Sequence, residues 1–279
     1  MARTEPAAAG AAAPTATYEV TALRYGSLRA TREALYYRWG SYGEPDGELE
    51  MAYYFWLLRN AERTVLVDTG FATAAAERRG RTVLVDPVEA LASVGVEPAE
   101  VDTVIVSHFH YDHVGNLDAY PDAELVVGQT ELDFWTGPLA RRAQFAPHVD
   151  QPDIERIAEA VAAGRARTTR GEEEVLPGVR SIEVGGHSPG QLLLVIDADD
   201  GGRVVLTSDA VHFYEEMDTD RPFGVIADLG AMYSAYDTIA TLAGEGAAIV
   251  AGHDPAVMER FAGEGGAEEF AVQVRGRKR

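Results

Sequence analysis

Three histidines and an aspartate fall within six residues in the run Ser107-His108-Phe109-His110-Tyr111-Asp112-His113-Val114-Gly115-Asn116. The chain holds only seven histidines in all. Imidazole and carboxylate are the donors of a hydrolytic zinc centre built without thiolates. Three neutral imidazoles packed together without a cation would compete for hydrogen-bond partners. The apolar run Val101 to Val106 reads as a strand that leads straight into Ser107-His108. On an extended turn alternate residues point the same way. His108 and His110 are therefore expected to share one ion, while Asp112 and His113, at a helix entry, reach a second.

Composition narrows the chemistry further. Cysteine is absent, which excludes disulfides and thiolate sites. The formal net charge of −21 repels phosphates and anionic lipid, so neither nucleic acid nor a membrane is an expected partner. No apolar run approaches the ~20 residues of a membrane span. Met1 to Thr17 is rich in Ala, Pro and Thr and lacks a hydrophobic h-region, which suggests a disordered leader over 1–17 and makes the cytoplasm the simplest location. The basic cluster Arg275-Gly276-Arg277-Lys278-Arg279 reads as a solvated end, part of a flexible tail over 271–279. A single domain is expected over 18–270.

The elements that must position the histidines are mostly strands. Tyr18 to Tyr25 reads as a strand, and Arg29 to Gly47 as a loop excursion. Leu49 to Arg59 and Thr64 to Val67 read as two strands of a hairpin around the polar turn Asn60-Ala61-Glu62. Asp86-Pro87 opens a helix through Ala92, because Asp caps and Pro suits the first turn. Glu124 to Val127, Ser181 to Val184, Gln191 to Ile196, Arg203 to Leu206 and Ala247 to Val250 read as further strands. Gln151 to Ala163 and Met232 to Leu242 read as helices, the first with Ile154, Ile157, Ala158 and Val161 on one face. Strands in two runs, with helices between and after them, predict an α+β domain of layered sheets covered by helices.

The pattern His-x-His-x-Asp-His resembles the signature of the metallo-β-lactamase superfamily, and further landmarks follow in order. Val67-Asp68-Thr69-Gly70, Gly186-His187-Ser188-Pro189-Gly190, Ser208-Asp209-Ala210 and Gly252-His253-Asp254 match the family's later motifs. The resemblance spans roughly Tyr18 to Phe261. It implies an αβ/βα sandwich of two mixed β-sheets flanked by helices, with two metal ions at one edge. It assigns His108, His110 and His187 to one ion, Asp112, His113 and His253 to the other, and Asp209 as the bridge. Asp68 carries over as the residue that orients the histidine-rich loop. Zinc is the expected metal, although the same donors accept Mn, Fe or Co.

Such a centre implies a metal-dependent hydrolase in which a bridging hydroxide attacks an electrophilic carbonyl or phosphorus. The layout is most similar to the N-acyl-homoserine lactonase group, so a lactone, either N-acyl-homoserine lactone or a related one, is the expected substrate. A glyoxalase-II-like thioesterase, or another small-molecule ester hydrolase, is the alternative. A homodimer is compatible with the sequence. Lactonases of this group carry a tyrosine three residues after the bridging aspartate, where this chain has His212 and then Tyr214. Both are catalytic candidates, alongside Asp112 and Asp209, for contacting the lactone oxygen. His148 reads as an ordinary loop residue. Tyr53-Tyr54-Phe55-Trp56 and Tyr36-Tyr37-Arg38-Trp39 are candidates to line an apolar pocket, with packing in the core the more ordinary role for each.

Overall fold

The computed structural model describes residues 16–263 and 269–276. Among them thirteen strands form: β1 (Glu19–Thr31), β2 (Glu48–Arg59), β3 (Thr64–Val67), β4 (Thr82–Val83), β5 (Thr103–Val106), β6 (Glu124–Gly128), β7 (Ala166–Thr169), β8 (Glu172–Leu176), β9 (Val179–Glu183), β10 (Leu192–Asp197), β11 (Arg203–Leu206), β12 (Ala248–Val250) and β13 (Ala271–Val274). The helices are α1 (Arg32–Leu35), α2 (Thr73–Arg79), α3 (Pro87–Ser93), α4 (Tyr111–Val114), α5 (Gln129–Trp135), α6 (Gln151–Ala162), α7 (Tyr214–Thr219), α8 (Leu229–Gly244) and α9 (Ala256–Phe261). One mixed sheet runs β13-β1-β2-β3-β5-β6-β7, with β4 against β1, and the other runs β12-β11-β10-β9-β8.

Strand β2 shows how the layers are held together. Its alternate residues Ala52, Tyr54, Trp56 and Leu58 enter the core between the sheets, where they meet Leu194, Ile196, Val204, Leu206 and Val250. The intervening Met51, Tyr53, Phe55 and Leu57 face the outer helices, packed with Leu91, Ile154 and Ile157. A strand buried on both faces reads as a continuous apolar run, and the aromatic segment Tyr53–Trp56 is therefore core, not the wall of a pocket. On the far side, Val195 and Val205 pack against Leu242 of α8. The result is the expected sandwich of two mixed sheets with helices outside. No helix among the described residues is long and apolar enough to cross a membrane.

Several boundaries differ from the sequence reading. Strand β1 continues past Tyr25 to Thr31, with a register irregularity between Arg24 and Gly26. The excursion over 29–47 is thus part strand, followed by α1 and a 3₁₀ turn at Trp39–Tyr42. Its Tyr36 and Trp39 are buried, and the excursion grips the segment near Phe223: Tyr36 bridges Phe223, while Gly224 N donates to Leu35 O at 2.6 Å. The tail expected to be flexible from residue 271 begins instead with β13. That strand pairs Ala271–Val274 with Val20–Leu23 and adds Val272 and Val274 to the inter-sheet core, so backbone pairing and apolar burial both hold it. Residues 1–15 of the expected leader and 277–279 of the tail lie outside the described residues.

Candidate metal centre

The histidine-rich loop begins where β5 ends. Strands β3, β5 and β6 run parallel, so Asp68 after β3 and Ser107-His108 after β5 emerge at the same edge. In the second sheet β11 and β12 are also parallel, and they deliver Asp209 and His253 from their own carboxyl ends. His187 comes from the turn between β9 and β10. Two positions in these turns need glycine: Gly186 has φ +93° and a Cβ there would lie 2.7 Å from Met232 Cα, while a Cβ at Gly252 would lie 2.4 Å from Ser208 O. The loops carrying His187, Asp209 and His253 can therefore converge only with bare backbone at these points.

Three of the histidines are turned by a partner outside the cluster. His253 Nδ1 lies 2.7 Å from Ala52 O and His187 Nδ1 lies 2.9 Å from Val225 O. A carbonyl only accepts, so the proton sits on Nδ1 and the Nε2 lone pair is left for the cluster. His113 Nδ1 lies 2.7 Å from Asp68 Oδ2. Asp68 is fully buried, in the left-handed region at φ +64°, and also accepts from Ser107 N and Ser107 Oγ, both at 2.8 Å. That is the orienting geometry the resemblance implies for it.

The donors fall into two groups that meet on one carboxylate. His108, His110, His187 and Asp209 each offer an atom within 4.8 Å of the others, and Asp112, His113 and His253 do the same. Asp209 Oδ2 lies 3.2 Å from His187 Nε2 and 3.8 Å from His108 Nε2. Its Oδ1 lies 3.0 Å from His253 Nε2 and 3.2 Å from His113 Nε2. His108 Nε2 and His113 Nε2 are buried with no hydrogen-bond partner, and His187 Nε2 sits 2.8 Å from His110 Nδ1. Buried lone pairs aimed at one another are costly unless a cation sits between them, so this donor set fits a pair of divalent ions.

Electrostatics point the same way. Burial and the neighbouring imidazoles hold His108, His110 and His187 well below the usual histidine range. Burial opposes charge on Asp209, but His253, His113, His212 and His108 outweigh it and hold the carboxyl well below its ordinary value. Neutral imidazoles at His108, His110 and His187 beside an ionised Asp209 match the protonation state that metal binding requires, whereas at His113 the effect of burial is outweighed by Asp209, Asp68 and Asp112, which hold it well above the usual histidine range.

The two candidates beyond the bridge part company. His212 is fully buried, with Nε2 3.1 Å from Asp209 Oδ2 and Nδ1 3.5 Å from Glu216 Oε1. It stacks on Phe223 at 3.6 Å and groups with Asp209 and His253 as a further potential donor. Burial disfavours its charge, but Asp209 and Glu216 raise its pKa to about 9. Tyr214 is not brought to the cluster. It opens α7, its hydroxyl donates to Ile249 O at 3.1 Å, and Arg260 lies over its ring at 3.6 Å. The expectation that Tyr214 contacts substrate fails because the helix begins at that residue and turns the ring toward β12.

Three residues missed or discounted in the sequence hold the site together. Glu131 in α5 is fully buried and accepts from Phe109 N at 3.0 Å, Trp135 Nε1 at 2.7 Å, Ser188 Oγ at 2.6 Å and Gly190 N at 2.7 Å. It ties the first histidine loop to the His187 turn. Glu216 does the same for the His212 segment, accepting from His212 N and Phe213 N at 2.8 Å and from Tyr236 Oη at 2.7 Å. His148 joins the site too, its ring 5.2 Å from that of His110. A narrow cleft of about 10 Å³ opens there, lined by His110, Trp135, Gln144, Phe145, His148 and His187 among others.

A sequence profile of the metallo-beta-lactamase superfamily matches residues 51–253. An N-acyl homoserine lactonase of Bacillus thuringiensis is 29% identical over 197 residues, covering 64% of this chain and 72% of that protein. The crystal structure of a quorum-quenching N-acyl homoserine lactone lactonase superposes with a TM-score of 0.69 at 24% identity, covering 86% of this chain and 94% of that one. AidC, a dizinc quorum-quenching lactonase in complex with a product, superposes with a TM-score of 0.69 at 16% identity, covering 96% and 97%.

Proposed function

Because the chain belongs to the metallo-beta-lactamase superfamily, we propose that it is a metal-dependent hydrolase that opens the ring of an N-acyl homoserine lactone or a related lactone. The observation that carries this reading is the division of Asp209, whose two oxygens face two separate groups of imidazole nitrogens. The relatives that share this fold and the family profile include N-acyl homoserine lactonases.

His108, His110 and His187 would hold one ion, Asp112, His113 and His253 the other, with Asp209 between them; zinc suits these nitrogen and oxygen donors. A bound pair of divalent ions supplies a polarised carbonyl and a water of lowered pKa. The protein's own groups do the rest. The Asp68–His113 hydrogen bond fixes the ring that faces Asp209 Oδ1. His110 and Asp112 keep 5% and 6% exposure while His108 and His212 have none, so substrate enters from the His110 and Asp112 side and His212 lies deepest. Phe223, stacked on His212, keeps water from that end. His212 would supply the donor to the carbonyl or ring oxygen, with Glu216 3.5 Å behind it.

The test is a panel of lactones, thioesters and phosphodiesters turned over by metal-loaded protein, with elemental analysis alongside. About two metal equivalents per chain and preferential lactone turnover are expected. Preferential thioester turnover would move the assignment to a glyoxalase-II-like enzyme, and full activity without metal would overturn it. In the same panel, His212→Ala should lower turnover by about 10²–10³ with metal content unchanged, as expected for a lost transition-state donor. Loss of metal in that variant would make His212 a ligand instead.

A further inference from the structure

One residue of the first strand is out of register, and it is the one that reaches the histidine-rich loop. Strand β1 pairs Arg24 with Tyr54 and Gly26 with Tyr53, so Tyr25 is an extra residue without a partner on β2. Such a bulge re-aims a side chain and interrupts the ladder of hydrogen bonds. Here the chain ahead of α3 holds the bulge in place: Leu84 N and Val85 N both donate to Tyr25 O, at 2.9 and 3.3 Å. The Tyr25 ring is fully buried, with its centre 4.7 Å from that of Phe71 and 5.9 Å from that of Phe55. Its hydroxyl donates to Asp112 O at 2.9 Å and accepts from Phe71 N at 3.2 Å. Gly70, just before Phe71, has φ +72°, and a Cβ there would lie 3.0 Å from Tyr25 Cζ. The turn after β3 is therefore bare where this ring passes.

The carbonyl that Tyr25 holds sits at a weak point of the site. Asp112 and His113 are carried by α4, a helix of one turn. In a longer helix the N–H of Gly115 or Asn116 would close on Asp112 O. Instead Gly115 N donates to Gly70 O at 2.9 Å and Asn116 N to Thr69 Oγ1 at 3.3 Å, and the Tyr25 hydroxyl takes their place. The next carbonyl, His113 O, accepts from Thr69 N at 2.8 Å and Thr69 Oγ1 at 3.1 Å. The backbone behind both donors is thus pinned from β1 and from the turn after β3. The third donor of that group, His253, meets the same aromatic cluster through Tyr53, whose ring centre lies 5.1 Å from that of His253 and 6.2 Å from that of Tyr25. The other group has different neighbours: Trp135 and His148 flank His110, and Phe223 lies beside His187.

We propose that Tyr25 is a positioning residue for the second metal site: from its bulge on β1 it fixes the one-turn helix that presents Asp112 and His113, and so sets the affinity of that site without touching metal or substrate. The inference rests on the two-ion reading above. Its test is a stepwise chelator competition titration with zinc on wild type, Tyr25→Phe and Tyr18→Phe, with thermal unfolding of the metal-free proteins alongside. Asp112→Ala, which deletes a donor of the second site, marks which step belongs to it. Tyr18→Phe is the structural control, because its hydroxyl also donates to one backbone carbonyl, Pro177 O at 3.1 Å, in the turn between β8 and β9. Tyr25→Phe keeps the ring and removes only the hydroxyl. It should weaken the second-site step about tenfold, the lower end of the usual effect of losing a group that orients a ligand, and shift the other step by less than about twofold. Tyr18→Phe should lower the metal-free midpoint and move neither step. Equal weakening of both steps in Tyr25→Phe, or a lower midpoint with both steps unchanged, would make Tyr25 a packing residue and overturn its role. If wild type takes up fewer than about two zinc ions per chain, the two-ion reading falls and this one with it. If wild type takes up both and only the variant pattern fails, the two-ion reading stands.

Discussion

Asp68 touches no candidate metal ion, yet it decides how one ligand is presented. Its Oδ2 faces His113 Nδ1 at 2.7 Å, and without that acceptor the proton of His113 is free to move to Nε2, the nitrogen the second ion needs. Asp68→Ala should weaken binding at the Asp112, His113 and His253 site by about 10–100-fold, the usual effect of removing such a partner, with little change at the His108, His110 and His187 site. A stepwise chelator competition titration reads the two sites separately, and an unchanged weaker step would show that the partner is dispensable. Asp68 was legible in the sequence because it lies in Val67-Asp68-Thr69-Gly70, and so were all seven donors, each inside a short motif. Glu131 and Glu216 were not. Glu131 accepts from Phe109 N and Gly190 N, in loops distant in sequence, and such a carboxylate leaves no local pattern; Glu216 accepts from His212 N and Phe213 N just ahead of its own helix, a capping contact hidden because the start of α7 was not read from the sequence. His148 was discounted because nothing beside it in the sequence shows that its ring lies 5.2 Å from that of His110.

At the scale of elements, helix α5 acts as a bolt between two loops through one side chain. Glu131→Ala would leave the N–H groups of Phe109 and Gly190 buried without an acceptor, at about 1–3 kcal/mol each. Glu131→Gln keeps the volume but points an NH₂ group at those same donors. Both variants should lose on the order of 3 kcal/mol in denaturant unfolding of metal-free protein, and the near-isosteric Gln variant separates lost acceptance from lost packing. Wild-type stability in both would mean the loops are held by other contacts. The elements themselves were unevenly legible. Strands β2, β5, β10 and β11 are dense apolar runs buried on both faces. Strands β7 and β8, Ala-Arg-Thr-Thr and Glu-Glu-Glu-Val-Leu, lie at the open edges of the two sheets and carry few apolar residues. Composition could not announce them, because an edge strand is specified by its neighbour's backbone more than by its own burial. Strand β13 escaped for a related reason: four residues beside a basic tail offer too short a pattern to separate strand from solvated end.

Across the whole molecule, the donors come from both sheets. His108, His110, Asp112 and His113 leave the first sheet through β5, whereas Asp209 and His253 leave the second through β11 and β12. The metals would therefore close a link between two layers that otherwise adhere through the apolar face of β2 and its partners. A ligand that binds only the folded chain stabilises it by RT ln(1 + [L]/Kd), about 2.7 kcal/mol at a hundredfold excess over Kd. For a domain of this size each kcal/mol moves the unfolding midpoint by about 2–4 °C. Removing metal with a chelator should then lower Tm by at least about 5 °C, and restoring zinc should recover it. Asp209→Asn should show a smaller chelator effect than wild type, because its amide nitrogen cannot accept and one of the two donor groups loses its shared oxygen. Asp68→Ala should fall between the two, since it disturbs one site and leaves the bridge. An unchanged midpoint on chelation, with elemental analysis confirming metal loss, would show that the ions serve chemistry without joining the sheets.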